Sequence, residues 1–238
     1  MAQAGRPGRR RGHRRVSQVG SALQPRLSFL GTSHLLCEAP LPIDLAWQRR
    51  LWGLAARARL WASVTETVLG MNNLLLVFDP LALDGDALAA RVLDAWPDCE
   101  SDIPRGRSVE VPVRYGGEAG PDLRELAHNA GITVQKFVKL HTGPEYTVFF
   151  VGGYPGQPHL GRLHPLLVSP RRHEPRMRVP AGSVAIGGEQ ASVYPSTQPG
   201  GMQLIGHTDV VFFDVARSPP SLLAPGDRVR FRSLGIEK

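Results

Sequence analysis

The chain has 238 residues, 42% hydrophobic and 21% charged. This excludes a fibrous, disulfide-stapled or wholly unfolded protein and gives length for one large or two ordinary cores. A formal net charge of +7 and a pI near 10.1 point at first to nucleic acid. The charge map removes that implication, because residues 1–25 carry Arg6, Arg9, Arg10, Arg11, Arg14, Arg15 and no acid, and the remainder holds 22 basic against 21 acidic residues.

Residues 1–25 read as a disordered basic tail, since Gly, Pro and Arg bury nothing. No apolar stretch follows the arginines, so the tail is not a secretory leader. Arg26–Glu38 reads as two short strands around Gly31-Thr32-Ser33. Leu45–Arg59 carries a helical apolar stripe behind Asp44 as N-cap. Trp61–Leu69 and Asn73–Phe78 read as a hairpin joined through Gly70-Met71-Asn72. Asp84–Trp96 is a second helix. This order is most of a ferredoxin-like α+β unit, placed at residues 26–97. Leu74–Phe78 is only strand-sized, no run reaches membrane-spanning length, and a cytoplasmic location without a membrane partner is expected. Cys37 and Cys99 lack ligand spacing and read as small apolar side chains in a reducing compartment; no metal site is expected.

Pro97–Gly106 is polar, broken by two prolines, and reads as a linker. Beyond it, Ser108–Tyr115 alternates as a strand. Pro121–Asn129 and a helix capped by Thr133 follow. Together Glu125–His141 has the outline of a helix-turn-helix, but apolar strands flank it and clustered Lys/Arg are lacking, so a helix pair packed on the sheet is preferred. Tyr146–Val151, Val210–Val215 and Arg228–Ser233 read as strands. Many short strands with one helical insertion predict a closed or nearly closed barrel over residues 107–234.

Between Gly152 and Gly206 the chain is punctuated by Gly and Pro around short buried-strand words (VAI, SVY, QLI). Such a chain makes tight turns that bring backbone close to a ligand or a neighbour. Pro155, Gly156, Pro158, Gly200 and Gly201 are candidates for such close approach, at an expected barrel mouth. Arg171 and Arg176, each after a proline, are candidate carboxylate clamps through their forked guanidinium groups. Gln190, Tyr194 and Gln203 are neutral polar groups suited to reading an amide or lactam. His141, at a helix end before an apolar strand, is expected at the barrel rim. It is a candidate to orient substrate or move a proton, or equally a cation on the helix dipole. Ser183 lacks a triad, and no GxxxxGK[ST], GxGxxG or GxSxG occurs, so the chain has no phosphate loop or nucleophile elbow of its own.

Six ordered words carry a family resemblance: YGGEAGPDL (115–123), LHTGPEYTVFF (140–150), PGQPHLG (155–161), SPRRHEPRMRVPAGSVAI (169–186), YPSTQPGGMQLIG (194–206) and PPSLLAPGDRVRF (219–231). GTSHLL and NNLLLVFDP match more weakly near the start. Over about residues 26–234 the chain resembles the B subunit of the bacterial ATP-dependent 5-oxoprolinase, also called allophanate hydrolase subunit 1 or KipI-like protein. The resemblance implies a ferredoxin-like domain followed by a cyclophilin-like barrel. It also implies an ATP-dependent opening of the 5-oxoproline lactam to glutamate. Two partners are implied, an allophanate hydrolase subunit 2-like protein (the C subunit of 5-oxoprolinase) and a LamB/YcsF-type protein (the A subunit), with ATP used by the assembly. An alternative within the same resemblance is a regulatory protein that binds and inhibits a histidine kinase. Gln157 and His159 replace family aromatics, Met202 replaces a tryptophan, and Glu189 stands where a small residue is expected, so the substrate need not be the family's usual one.

Overall fold

A computed structural model of the chain describes residues 24–99 and 106–237. The expected basic tail, apart from Gln24 and Pro25, lies outside the described residues, as does the centre of the expected linker. Among the described residues, no helix is long and apolar enough to cross a membrane.

The first part is a four-stranded sheet of β1 (Arg26–Leu30), β2 (His34–Glu38), β3 (Val64–Gly70) and β4 (Asn73–Phe78), in the order β1-β2-β4-β3 with every pair antiparallel. Helix α1 (Leu45–Ala58) joins β2 to β3, and α2 (Gly85–Ala95) follows β4. Both helices start where a short acidic side chain accepts a first-turn N–H: Asp44 from Trp47 and Asp84 from Ala87. Alternation along the strands directs Leu27, Leu35, Cys37, Leu74, Leu76 and Phe78 into one core, which α1 completes with Leu51, Leu54 and Ala58 and α2 with Leu88 and Val92. The linker read from Pro97 onward begins later than expected. Trp96–Asp98 forms a 3₁₀ turn, and Trp96 and Cys99 are buried in this first core.

The second part is a closed barrel. Its strands are β5 (Ser108–Gly116), β6 (Tyr146–Val151), β7 (Pro158–Gly161), β9 (Ser183–Gly187), β10 (Gln190–Val193), β12 (Gln203–His207) and β13 (Arg228–Glu237). They run in the order β10-β7-β6-β13-β5-β12-β9, closing through β9 and β10, with β5 and β13 the one parallel pair. Closure leaves no edge to aggregate. Helices α3 (Leu123–Asn129) and α4 (Val134–Thr142) lay Leu123, Leu126, Phe137 and Val138 on the barrel core, as the helix-pair reading expected. A two-stranded strap, β8 (Arg176–Val179) with β11 (Gln198–Gly200), covers part of the outer face. It closes a small separate core of Val179, Ala185, Tyr194, Met202 and Leu204.

The strand expected over Val210–Val215 does not form. The segment is irregular apart from an isolated bridge between Phe213 and Ser221. Its apolar character serves a different purpose, because Phe212 is buried in the barrel core while the chain turns back through Pro219 and Pro220, which offer no donors to a ladder.

The two parts meet at a β-bulge. The β6–β7 register shifts between Val148 and Phe150, so that Phe149 and Phe150 both face outward, and the Phe149 carbonyl is freed from the ladder. Two side chains of α1 take it: Trp52 Nε1 donates at 2.8 Å and Gln48 Nε2 at 3.2 Å. Gln48 is fully buried, donates also to the Gly70 carbonyl and accepts the Asn72 N–H. The Phe149 ring lies where a side chain on Gly161 would be. Gly161→Ala is therefore expected to lower stability by about 1–3 kcal/mol through overpacking, read as a lowered urea midpoint with an unchanged slope.

Candidate functional site

Strand alternation decides which residues can meet a ligand. Leu160, Val184, Ile186, Ala191 and Val193 fill the barrel interior, so His159, Gly161, Gly187, Gln190 and Ser192 lie on its outer face. The candidate residues thus gather outside the barrel and not at the expected mouth. Facing them, Leu41, Pro42, Ile43 and Met71 of the first part complete a cleft of about 590 Å³, whose barrel wall is Phe149, Gly161, Arg162, Glu189 and Gln190. One wall is apolar and the other carries a cation, an anion and an amide, a pattern suited to binding a small organic molecule.

Gln190 is held at the cleft by His159, whose Nδ1 lies 3.2 Å from Gln190 Oε1. His159 Nε2 lies 3.2 Å from the Gly152 carbonyl, and its ring stacks on Phe150 at 4.1 Å and 4°. Burial, with the Arg171 charge acting in the same sense, lowers the His159 pKa from its ordinary value against its two hydrogen bonds. Arg171 is exposed, lies against Gly187 beside Met202, and has no carboxylate partner among the described residues. Of the two arginines singled out from sequence it is the one free to hold an anion.

Arg176 is not free. Its Nη2 donates to Asp122 Oδ1 at 2.7 Å, Arg172 Nη1 reaches the same oxygen at 3.4 Å, and Asp122 Oδ2 accepts the Leu204 N–H at 2.7 Å. The carboxylate expected on Arg176 from a substrate is therefore supplied by the protein itself. Tyr194 likewise is a packed residue of the strap core. Its ring fills the place that a side chain on Gly200 would take, and desolvation raises its pKa. Gly201 accepts the Arg172 N–H, and Gln203 donates to the Pro170 carbonyl, bordering a smaller pocket of about 270 Å³ next to Asp122.

Pro155 is exposed in the β6–β7 turn. Gly156, at φ +78°, is buried against Phe212 and Phe213, so its missing side chain serves packing and not a ligand. Pro158 is buried, and its carbonyl accepts from Ser192 Oγ. Gln157, Ser192 and Gln198 form a buried chain of hydrogen bonds that ties the strap to the barrel. His141 departs furthest from expectation. It is fully buried among Tyr115, Tyr146 and Phe231, with Nδ1 2.8 Å from Tyr115 Oη. Burial lowers its pKa to about 3, so it stays neutral and reaches neither the cleft nor a barrel rim. Its ring suits the core, and the helix-end position misled because α4 packs its last turn inward.

Sequence reasoning missed Asp122, which ties three segments together, and Arg162, which borders the cleft at φ +62°. A non-glycine residue in that region marks local strain, but no residue type announces it in a sequence. Asp122 was in view inside the word YGGEAGPDL, where only a tertiary partner reveals its use.

Among the described residues, no cluster of His, Cys, Asp and Glu could hold a metal ion. Their helix starts are also poor places for a phosphate. Asp44, Asp84 and Thr133 side chains already occupy the first-turn N–H groups of three helices, and Asp122 stands at the start of α3. The three carboxylates repel the phosphates that a helix N-terminus would otherwise attract, and on α4 the Thr133 hydroxyl takes the Lys136 N–H.

The comparisons bear on this geometry. The family described as carboxyltransferase domain, subdomain C and D, matches residues 25–223. The chain is 46% identical over 207 residues to the 5-oxoprolinase B subunit of Escherichia coli O157:H7, covering 87% of this chain and 94% of that one. It superposes on the crystal structure of TTHA0988 with a TM-score of 0.72 at 37% identity, covering 84% of this chain and 39% of that longer chain. It also shares its fold, at 19% identity and a TM-score of 0.75, with the Kluyveromyces lactis urea amidolyase, over 93% of this chain and 16% of that one. The chain belongs to the family of 5-oxoprolinase B subunits, built on subdomains C and D of the carboxyltransferase domain.

Proposed function

We propose that this chain is a non-autonomous subunit of an ATP-dependent lactam hydrolase acting on 5-oxoproline. The carrying observation is the identity to the 5-oxoprolinase B subunit along nearly the whole of both chains. The cleft supports it. Gln190 offers an amide for the lactam and the apolar wall a surface for the ring, while Arg171, which does not line the cleft but lies against Gly187 on the same barrel face, offers a guanidinium without a carboxylate partner among the described residues for the substrate carboxylate. A small lactam fills only part of about 590 Å³, which leaves room for groups from a second chain. A subunit-2 partner would supply them, with a LamB/YcsF-type protein as the third member. ATP belongs with those partners in this reading, since among the described residues three helix starts carry a carboxylate and the fourth is capped by Thr133. Opening an amide needs donors on the developing oxyanion, and the composite site would provide them.

The N-terminal part is read as a ferredoxin-like unit over residues 26–99. Its order β1-β2-β4-β3, all antiparallel, matches that motif when its last strand is moved to the front. The barrel is read as cyclophilin-like over residues 107–237.

The test is reconstitution with the two partner proteins. Arg171→Ala should lower kcat/KM for 5-oxoproline roughly ten- to a hundredfold, the about 1.5–3 kcal/mol of a charge-assisted contact, with an unchanged melting temperature. Turnover by the wild-type chain alone, or an unaffected Arg171→Ala complex, would overturn the assignment.

A further inference from the structure

We infer that His159 is a positioning residue: it fixes the direction of the Gln190 amide so that the cleft receives a carbonyl oxygen, and thereby selects ligands that present an N–H. This rests on the amide-reading role given to Gln190 above and names the device that makes the reading directional.

The geometry is a chain of donors and acceptors with one fixed end. Gly152 O is a carbonyl and can only accept, so the His159 Nε2 facing it at 3.2 Å carries the proton. In the neutral ring Nδ1 is then an acceptor and requires a donor, whereas the atom 3.2 Å away is Gln190 Oε1, itself an acceptor, so the neutral ring is met only after a half-turn of the amide. The Gln190 side chain can supply one, through its NH₂ end. A half-turn of the amide exchanges its two ends at Nδ1, so the ring's charge chooses between them. The neutral ring takes NH₂ and leaves Oε1 for the cleft; the charged ring takes Oε1 and leaves NH₂. Turning the ring over within its stack on Phe150 would put carbons where both nitrogens stand and lose the Gly152 and Gln190 contacts, so it offers no escape from the choice.

Burial and the nearby Arg171 both favour the neutral ring. Glu189, exposed beside Gln190 at the cleft, is the nearest acid along the chain and makes no hydrogen bond or ion pair with His159. At neutral pH the cleft therefore shows an acceptor to its ligand. A lactam or secondary amide N–H matches it, whereas a lactone, which differs by an oxygen in place of that N–H, sets lone pair against lone pair. A buried polar mismatch of this kind discriminates far more strongly than a change of size.

Two experiments test the inference. In the chain alone, ¹⁵N NMR of the histidine rings should show His159 neutral at pH 7.5 as the Nε2–H tautomer, with the Gln190 NH₂ resonances shifting only as that ring protonates. A charged ring or the Nδ1–H tautomer at pH 7.5 would overturn it. In the reconstituted complex, the ratio of binding constants for 5-oxoproline and its ring-oxygen lactone should fall at least fivefold in His159→Phe, which keeps the aromatic stack and removes both nitrogens. The same ratio in His159→Phe and wild type, with Gln190→Leu also unchanged, would refute the selection. A wild-type complex that binds the lactam without hydrolysing it would count against the hydrolase reading, while the ring tautomer still decides the amide's direction.

Discussion

Asp122→Ala should be among the most destabilising single changes in the barrel, at about 2–4 kcal/mol. Removing one member of a buried ion pair leaves its partner charge uncompensated, at about 3–5 kcal/mol when both are fully buried. The range is lowered here because the Arg176 side chain keeps 24% exposure while that of Asp122 keeps 9%. The loss is not only electrostatic, because the Leu204 N–H, Arg172 and the strap's Arg176 all converge on this carboxylate. At this chain length the change should appear as a fall of roughly 5–15 °C in Tm. The Asp122→Ala/Arg176→Ala double variant should be less damaged than the sum of the singles by at least about 0.5 kcal/mol. Additive losses would show that the two side chains are not coupled.

His141 should make stability fall on acidification. Its folded pKa of about 3 lies below the ordinary 6.5, so the unfolded chain binds the proton more readily. The stabilising difference is complete above pH 6.5 and is lost as pH drops from there toward 3. The slope is about 1.4 kcal/mol per pH unit, so about 2 kcal/mol should be gone at pH 5. Urea unfolding of wild type and His141→Phe at pH 7 and 5 isolates the effect, because the other titrating groups are shared. The His159 contribution, of the same sign, should persist in the variant. Equal losses in the two proteins would place the acid sensitivity elsewhere.

The elements whose signals are local were legible in the sequence. Asp44, Asp84 and Thr133 announced three helix starts, Asn73–Phe78 and Tyr146–Val151 were strands as read, and the Gly152–Gly206 turns pointed to the segment that builds the outer barrel face. What failed needed tertiary knowledge. Val210–Val215 has strand composition, but Phe212 and Val210 pack on the barrel core while Val211 and Val215 are exposed, and no ladder forms. Arg171 and Arg176 look alike in the chain, five residues apart, and only the position of Asp122 separates the free guanidinium from the bound one. His141 reads from the sequence equally as a site residue or as a cation on the helix dipole, and is a neutral core side chain.

The parallel pairing of β13 with β5 fixes where the chain can be lengthened. Arg228 sits beside Ser108 and Glu237 beside Gly116, so the polypeptide enters the barrel at one pole and leaves it at the other. A protein fused behind this chain would start from the pole opposite the entry at Ser108. A flexible joint inserted there should leave the cleft intact, whereas trimming β13 back to Ser233 would unzip its pairing with Arg114, Tyr115 and Gly116.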